Sequence, residues 1–165
     1  MIRLAQQGRG CIYDSEAGVC CHFCRQKVLC GEPECRRCIE QDPGIPCLGK
    51  SECTRCASAT GRFCRACLLT RYGETLEAVR AAMEAGTWLC PHCYENDHPD
   101  EGWICNSSIC MTRRGLMPTG VVFYEAQRQG FALVAHYLQG LAHEWCLPAA
   151  AKQPLHQQPV ELDGA

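Results

Sequence analysis

No stretch of this chain is apolar for long enough to cross a membrane, and the opening MIRLAQQGRG lacks the continuous apolar core of a secretory signal. Strand-like and helix-like segments do not alternate as they do around a redox C-x2-C pair. A phosphate-binding glycine loop and a general-base constellation are also missing, so no enzyme is expected. Excess positive charge is absent too: the formal net charge is −2. Zinc held by four thiolates would be doubly negative, so that count understates the acidity of a metal-loaded form. The chain therefore cannot rely on the broad attraction to phosphate that carries non-specific nucleic-acid binding. Any such surface must be local.

Cysteine is what the chain has in plenty, 17 of 165 residues. At that density a cysteine framework replaces a large apolar core, through disulfides or through metal. An odd count rules out complete internal pairing, and a reducing compartment is the expectation without a signal sequence. Clustered cysteines there mean zinc.

Residues 1–19 and 148–165 read as tails, the second rich in Pro, Gln and Ala. Residues 20–110 hold fifteen of the cysteines, including an insertion at 30–47, and residues 111–147 are helical in pattern. The stretch GETLEAVRAAMEAG puts Leu76, Val79 and Met83 on one helical face and stops at Gly86. Two more helices are expected on either side of Gly130, the second with Phe131, Val134, Leu138, Leu141 and Trp145 on a buried face. His136 and His143 on that helix read as ordinary histidines.

Five C-x2-C pairs stand out: Cys21/Cys24, Cys35/Cys38, Cys53/Cys56, Cys64/Cys67 and Cys90/Cys93. Two intervening residues form a turn that aims both sulfurs at one ion, and two such knuckles complete a tetrahedral shell. An interleaved cross-brace is favoured, with Cys21, Cys24, Cys64 and Cys67 on one zinc and Cys53, Cys56, Cys90 and Cys93 on another. The insertion offers Cys30, Cys35, Cys38 and Cys47 as a set of its own. Cys105 and Cys110 supply two further ligands and need His98, His92 or another cysteine. Three or four structural zincs follow. Cys11, Cys20 and Cys146 have no local partner pattern. The fold expected is a small zinc-stabilised α+β or irregular domain, with cross-brace knuckles and a C-terminal helical extension.

From Cys53 to Gly73 the chain has four arginines and no acidic residue. Among them are Arg62, Arg65 and Arg71, followed by Tyr72, directly around the Cys64/Cys67 knuckle. Arginine is suited to bidentate contact with phosphate or a guanine edge.

The segments CHFCRQK (21–27), CTRC (53–56), GRFCRACLLTRYGE (61–74), WLCPHC (88–93), ICNSSIC (104–110) and RRGLMPTGVVFYEAQRQGFALVAHYL (113–138) occur in the order of one family. They resemble the four-CXXC, R1-type zinc-finger domain of the cell-division-cycle-associated protein 7 group, with the flavour of its plant and algal members. The resemblance spans roughly residues 20 to 140. It implies a nuclear chromatin module that binds double-stranded DNA, recognises hemimethylated CpG sites and serves DNA-methylation maintenance and transcription regulation. It also implies partnership with a Swi/Snf-type remodelling ATPase, for which residues 1–19 offer no convincing helix. By the same resemblance Arg25 and Lys27 share the DNA face with Arg71 and Tyr72, while Arg113 and Arg114 grip the flanking backbone. One departure matters: Ser107 stands where that family has a cysteine, so the last zinc site is either rebuilt or lost. The rival readings are a ubiquitin ligase of the cross-brace kind and a protein-docking module that does not touch DNA.

Overall fold

In the computed structural model, residues 12–146 are described, and the side chains of residues 12–142. The expected tails therefore lie largely outside the described residues, as do Cys11 and the side chains of His143, Trp145 and Cys146. The N-terminal tail ends earlier than residue 19, however. Tyr13 bridges Val28, and the antiparallel pair β1 (Val19–Cys20) and β2 (Lys27–Val28) continues that small ribbon. The Asp14 carboxylate accepts from the amides of Glu16 and Ala17 at 2.9 and 2.7 Å, which closes the turn and buries Ala17.

Seven helices occur among the described residues: α1 (Arg36–Glu40), α2 (Arg65–Tyr72), α3 (Leu76–Glu84), α4 (Pro91–Asp97), α5 (Ser108–Arg113), α6 (Thr119–Arg128) and α7 (Val134–Cys146). Their ends follow local chemistry. The Thr75 hydroxyl accepts from the Ala78 amide to open α3, and the Ser107 hydroxyl accepts from the Cys110 amide to open α5. Pro91 at the first position of α4 loses no intrahelical bond. Gly73 closes α2 in the left-handed region at φ 68°, satisfying the carbonyls of Leu68 and Leu69.

The helices of the C-terminal extension pack through Ile104, Met111, Val122, Ala126, Val134, Tyr137 and Leu138. A second cluster gathers Phe23, Phe63, Leu68, Tyr72, Leu76, Val79 and Trp88 among the cysteines, with the rings of Phe23 and Phe63 stacked at 4.3 Å. Leu76 and Val79 are buried, as their spacing predicts, and Met83 is partly so. Each fully buried Leu or Phe contributes about 1.5–3 kcal/mol. A third, small cluster of Ala17, Leu29 and three cysteines underlies the insertion. Cysteine thus contributes to two of the three cores.

Candidate zinc centres and nucleic-acid interface

Four groups of donor atoms form, each with its members within 4.8 Å of one another. Cys21 and Cys24 lie in the turn between β1 and β2, and Cys64 and Cys67 lie at the start of α2. The second centre repeats that plan, joining Cys53 and Cys56 to Cys90 and Cys93 at the start of α4. In both, the amide of the residue capping the helix donates to a sulfur across the centre: Cys64 N to Cys21 Sγ and Cys90 N to Cys53 Sγ, each 3.3 Å. Such N–H groups favour thiolate. The pairs interleave along the chain, which is a cross-brace.

The third centre, Cys30, Cys35, Cys38 and Cys47, is contained in the insertion. Arg37 braces it by donating to the carbonyls of Ala17, Pro43, Ile45 and Glu16. The fourth brings together His22, His92, Cys105 and Cys110. Each histidine lies inside a knuckle whose cysteines serve another centre: C-H-F-C for His22 and C-P-H-C for His92. His92 is among the donors expected to complete this shell, and His22 is one that the sequence reading does not single out. The sequence signal was a histidine within a C-x2-C pair, combined with a two-cysteine set short of ligands. His98 is not brought there, because it faces Glu101 at 3.1 Å and stacks on Tyr94. Ser107 is not among the four donors either: its hydroxyl caps α5 and lies 3.4 Å from the Cys105 sulfur. Cys20 is exposed and outside all four groups.

The donors fit zinc by geometry. Zinc–sulfur bonds of about 2.3 Å at tetrahedral angles separate two sulfurs by about 3.8 Å, and a sulfur from an imidazole nitrogen by about 3.5 Å. Observed sulfur pairs are 4.0 Å (Cys24–Cys64), 3.9 Å (Cys38–Cys47) and 3.8 Å (Cys56–Cys90). In the fourth centre the Cys110 sulfur is 3.3 Å from His92 Nε2 and 3.6 Å from His22 Nε2. Gly61 allows the second centre its close approach, since a Cβ there would lie 2.9 Å from that of Cys53 and 3.2 Å from that of Cys90. Each of the four clusters could hold one zinc ion.

The electrostatics of these thiols favours a shared cation. Burial pushes Cys24, Cys38 and Cys93 up to about 11 and Cys105 to about 12. Against the pull of burial, the amides of Cys56, Cys90 and Arg55 bring Cys53 down to about 6. Hydrogen bonds from Cys64 and Cys67 lower Cys21. Four sulfurs this close cannot all ionise unless a metal shares the charge. Burial lowers the pKa of His22 and His92, so both imidazoles are held in the neutral form that ligates metal. The charges of Arg25 and Arg113 add to the effect on His22.

The residues expected to contact DNA differ in their surroundings. Tyr72 is withdrawn: it is 4 % exposed, its hydroxyl donating to Ile104 O and accepting from Asn106 N. The strip after Cys67 is helical, and the helix turns Tyr72 into the core instead of leaving it on the surface. Several arginines are engaged within the protein: Arg65 with Glu32 and Glu77, Arg114 with Glu95, and Arg62 loosely with Glu52 at 4.0 Å. Arg71 is half-buried, donating through Nη1 to Asn106 O and Oδ1 and lying 4.7 Å over the Phe23 ring. Lys27 lies half-buried in β2. Arg25 and Arg113 are exposed and make no hydrogen bond or ion pair through their side chains with any described residue.

Fold and sites together define a zinc finger with several structural centres and few regular strands. A family model described as the zinc-finger domain of monoamine-oxidase A repressor R1 matches residues 13–138, and the chain belongs to that family. The human cell division cycle-associated protein 7 is 35 % identical over 138 residues, covering 84 % of this chain and 30 % of that protein. Its bovine counterpart is 33 % identical over 142 residues, covering 86 % and 31 %, respectively. The human cell division cycle-associated 7-like protein is 34 % identical over 133 residues, covering 81 % and 23 %. The chain thus spans less than a third of each of these relatives. No helix among the described residues is long and apolar enough to cross a membrane.

Proposed function

We propose that this chain is a nuclear, zinc-dependent module that binds double-stranded DNA at CpG sites and prefers the hemimethylated duplex. The observation that carries the reading is the pair of exposed, unengaged arginines, Arg25 and Arg113, beside the fourth centre, with Arg71 held nearby over Phe23. Arginines presented in this way can reach phosphate or a guanine edge. Methyl discrimination rests on the family resemblance together with the retained CRQK, GRFC, TRYGE and PTG segments. The role is binding and not catalysis, since each centre draws all four donors from the chain and is of the closed structural type. In a longer protein such a module would deliver a partner, for instance a Swi/Snf-type remodelling ATPase, to newly replicated sites.

A second reading has its own observation. Met117, Val121, Phe123 and Tyr124 are exposed on and just before α6, an apolar surface suited to docking another protein. Affinities for unmethylated, hemimethylated and fully methylated CpG duplexes at two salt concentrations test the first reading. The hemimethylated duplex should bind most tightly, with a shallow salt dependence. Equal affinities on a steep common slope would mark a generic phosphate binder, and no binding would leave the docking reading.

A further inference from the structure

The four centres differ in charge. Zinc in any of the three all-cysteine groups is doubly negative, because its ligands bind as thiolates. Zinc held by His22, His92, Cys105 and Cys110 is neutral, two thiolates balancing the ion and two imidazoles adding nothing. Three described arginines form no hydrogen bond or ion pair through their side chains: Arg25, Arg80 and Arg113. Two of these flank the neutral centre. Arg25 follows the knuckle that carries His22, and Arg113 closes the helix that carries Cys110. By contrast, the arginines near the second centre are neutralised, Arg55 by Asp97 and Arg62 in part by Glu52. Ser107 preserves this neutrality, since it occupies a buried position beside the Cys105 sulfur without adding a thiolate.

We infer that the two-histidine donor set, completed by His92 in place of a third thiolate, sets the affinity of this face for DNA by adding no negative charge beside Arg25 and Arg113, the first of which already adjoins the doubly negative centre of Cys21 and Cys24. The inference rests on the DNA-binding reading and deepens it. A third thiolate would place a full negative charge in the centre beside the arginines and so oppose their attraction to phosphate. At distances near 10 Å and protein-surface screening, that charge weakens binding by about three- to tenfold.

The test uses the full zinc-loaded chain and His92→Cys. Native mass spectrometry should still count four zincs, and cobalt substitution should show stronger thiolate charge-transfer absorption. Affinity for a CpG duplex should fall by about three- to tenfold at low salt, with the difference shrinking as salt rises. Arg36→Gln makes the same change in net charge within the insertion, and should alter affinity less than about twofold. Should His92→Cys fail to fold, His92→Ala with Ser107→Cys moves the third thiolate to the other side of the centre, and the same fall is expected. A four-zinc His92→Cys protein with unchanged affinity overturns the inference while leaving the DNA reading intact. Equal weakening by Arg36→Gln overturns it as well, because net charge alone would then be responsible. Wild-type protein that binds no duplex overturns both.

Discussion

Arg71 and Arg25 both follow zinc knuckles, yet their surroundings give them different work. Arg71 ties α2 to the Asn106 segment through two bonds from Nη1 and covers Phe23. Arg71→Ala should therefore cost about 1–3 kcal/mol of stability as well as DNA affinity, with thermal unfolding of the zinc-loaded protein as the measurement. Arg25 has no such tie and sits at φ 58°, a conformation that glycine adopts without strain. Arg25→Gly should leave the melting temperature unchanged or raised while weakening duplex binding. Loss of stability would assign Arg25 a structural contact. Glu74 supplies a pH test. Burial pushes its carboxyl up, the Trp88 side chain partly offsetting this through a hydrogen bond. A carboxyl whose folded pKa exceeds its unfolded value is destabilising when ionised. The penalty sets in as pH rises through the unfolded value of about 4.3 and is complete above the folded one. Glu74→Gln keeps an acceptor for Trp88, so it should stabilise the protein at neutral pH and make no difference below about pH 4.

At the scale of elements, α5 joins the fourth centre to the helical extension. Cys110 lies within it, Met111 is fully buried in the extension's core, and Ser107 caps it. Thr119 adds a second fastening, its hydroxyl donating to Asn106 O at 3.0 Å and accepting from Ser108 Oγ at 3.1 Å. Ser107→Ala should cost about 1 kcal/mol through the lost cap and leave four zincs in place. Loss of one zinc on that substitution would show the hydroxyl to be part of the metal site. The α2–α3 connection depends on Gly73 in a different way. A side chain there would be strained at φ 68° and would meet Leu133 Cδ1 at 2.8 Å, so the glycine lets the extension lie against α2.

At the scale of the molecule, metal and core are one structure, because cysteines occupy the centre of two of the three buried clusters. Chelation should unfold the chain cooperatively instead of leaving a stable apo form. Zinc uptake should release protons, since the thiols of the unfolded apo chain, with an ordinary pKa of about 8.5, are protonated at neutral pH. About four protons per all-cysteine centre should appear at neutral pH. Calorimetry in buffers of different ionisation enthalpy counts them. Affinity for zinc should fall as the pH is lowered, because protons compete for the sulfurs.

The amino-acid sequence by itself determined that zinc would organise this chain, because C-x2-C spacing acts through a local turn that needs no distant partner. It also determined the self-contained insertion centre and the α3 helix, whose periodicity and stop signal are local. The two interleaved centres were legible as a preference among registers, and the small span of the insertion left its four cysteines little alternative. The fourth centre was decided only by tertiary structure. His22 and His92 are seventy residues apart, and their rings meet at 5.4 Å only after the cross-brace has brought the two knuckles together. The fate of the arginines was decided in the same way. Whether a guanidinium is free, as at Arg25, or taken up, as at Arg65 by Glu32 thirty-three residues away, depends on which carboxylates the fold carries to it. Helical rotation then separated Tyr72 from Arg71, placing one in the core and the other at its edge, a distinction that adjacency in sequence does not contain.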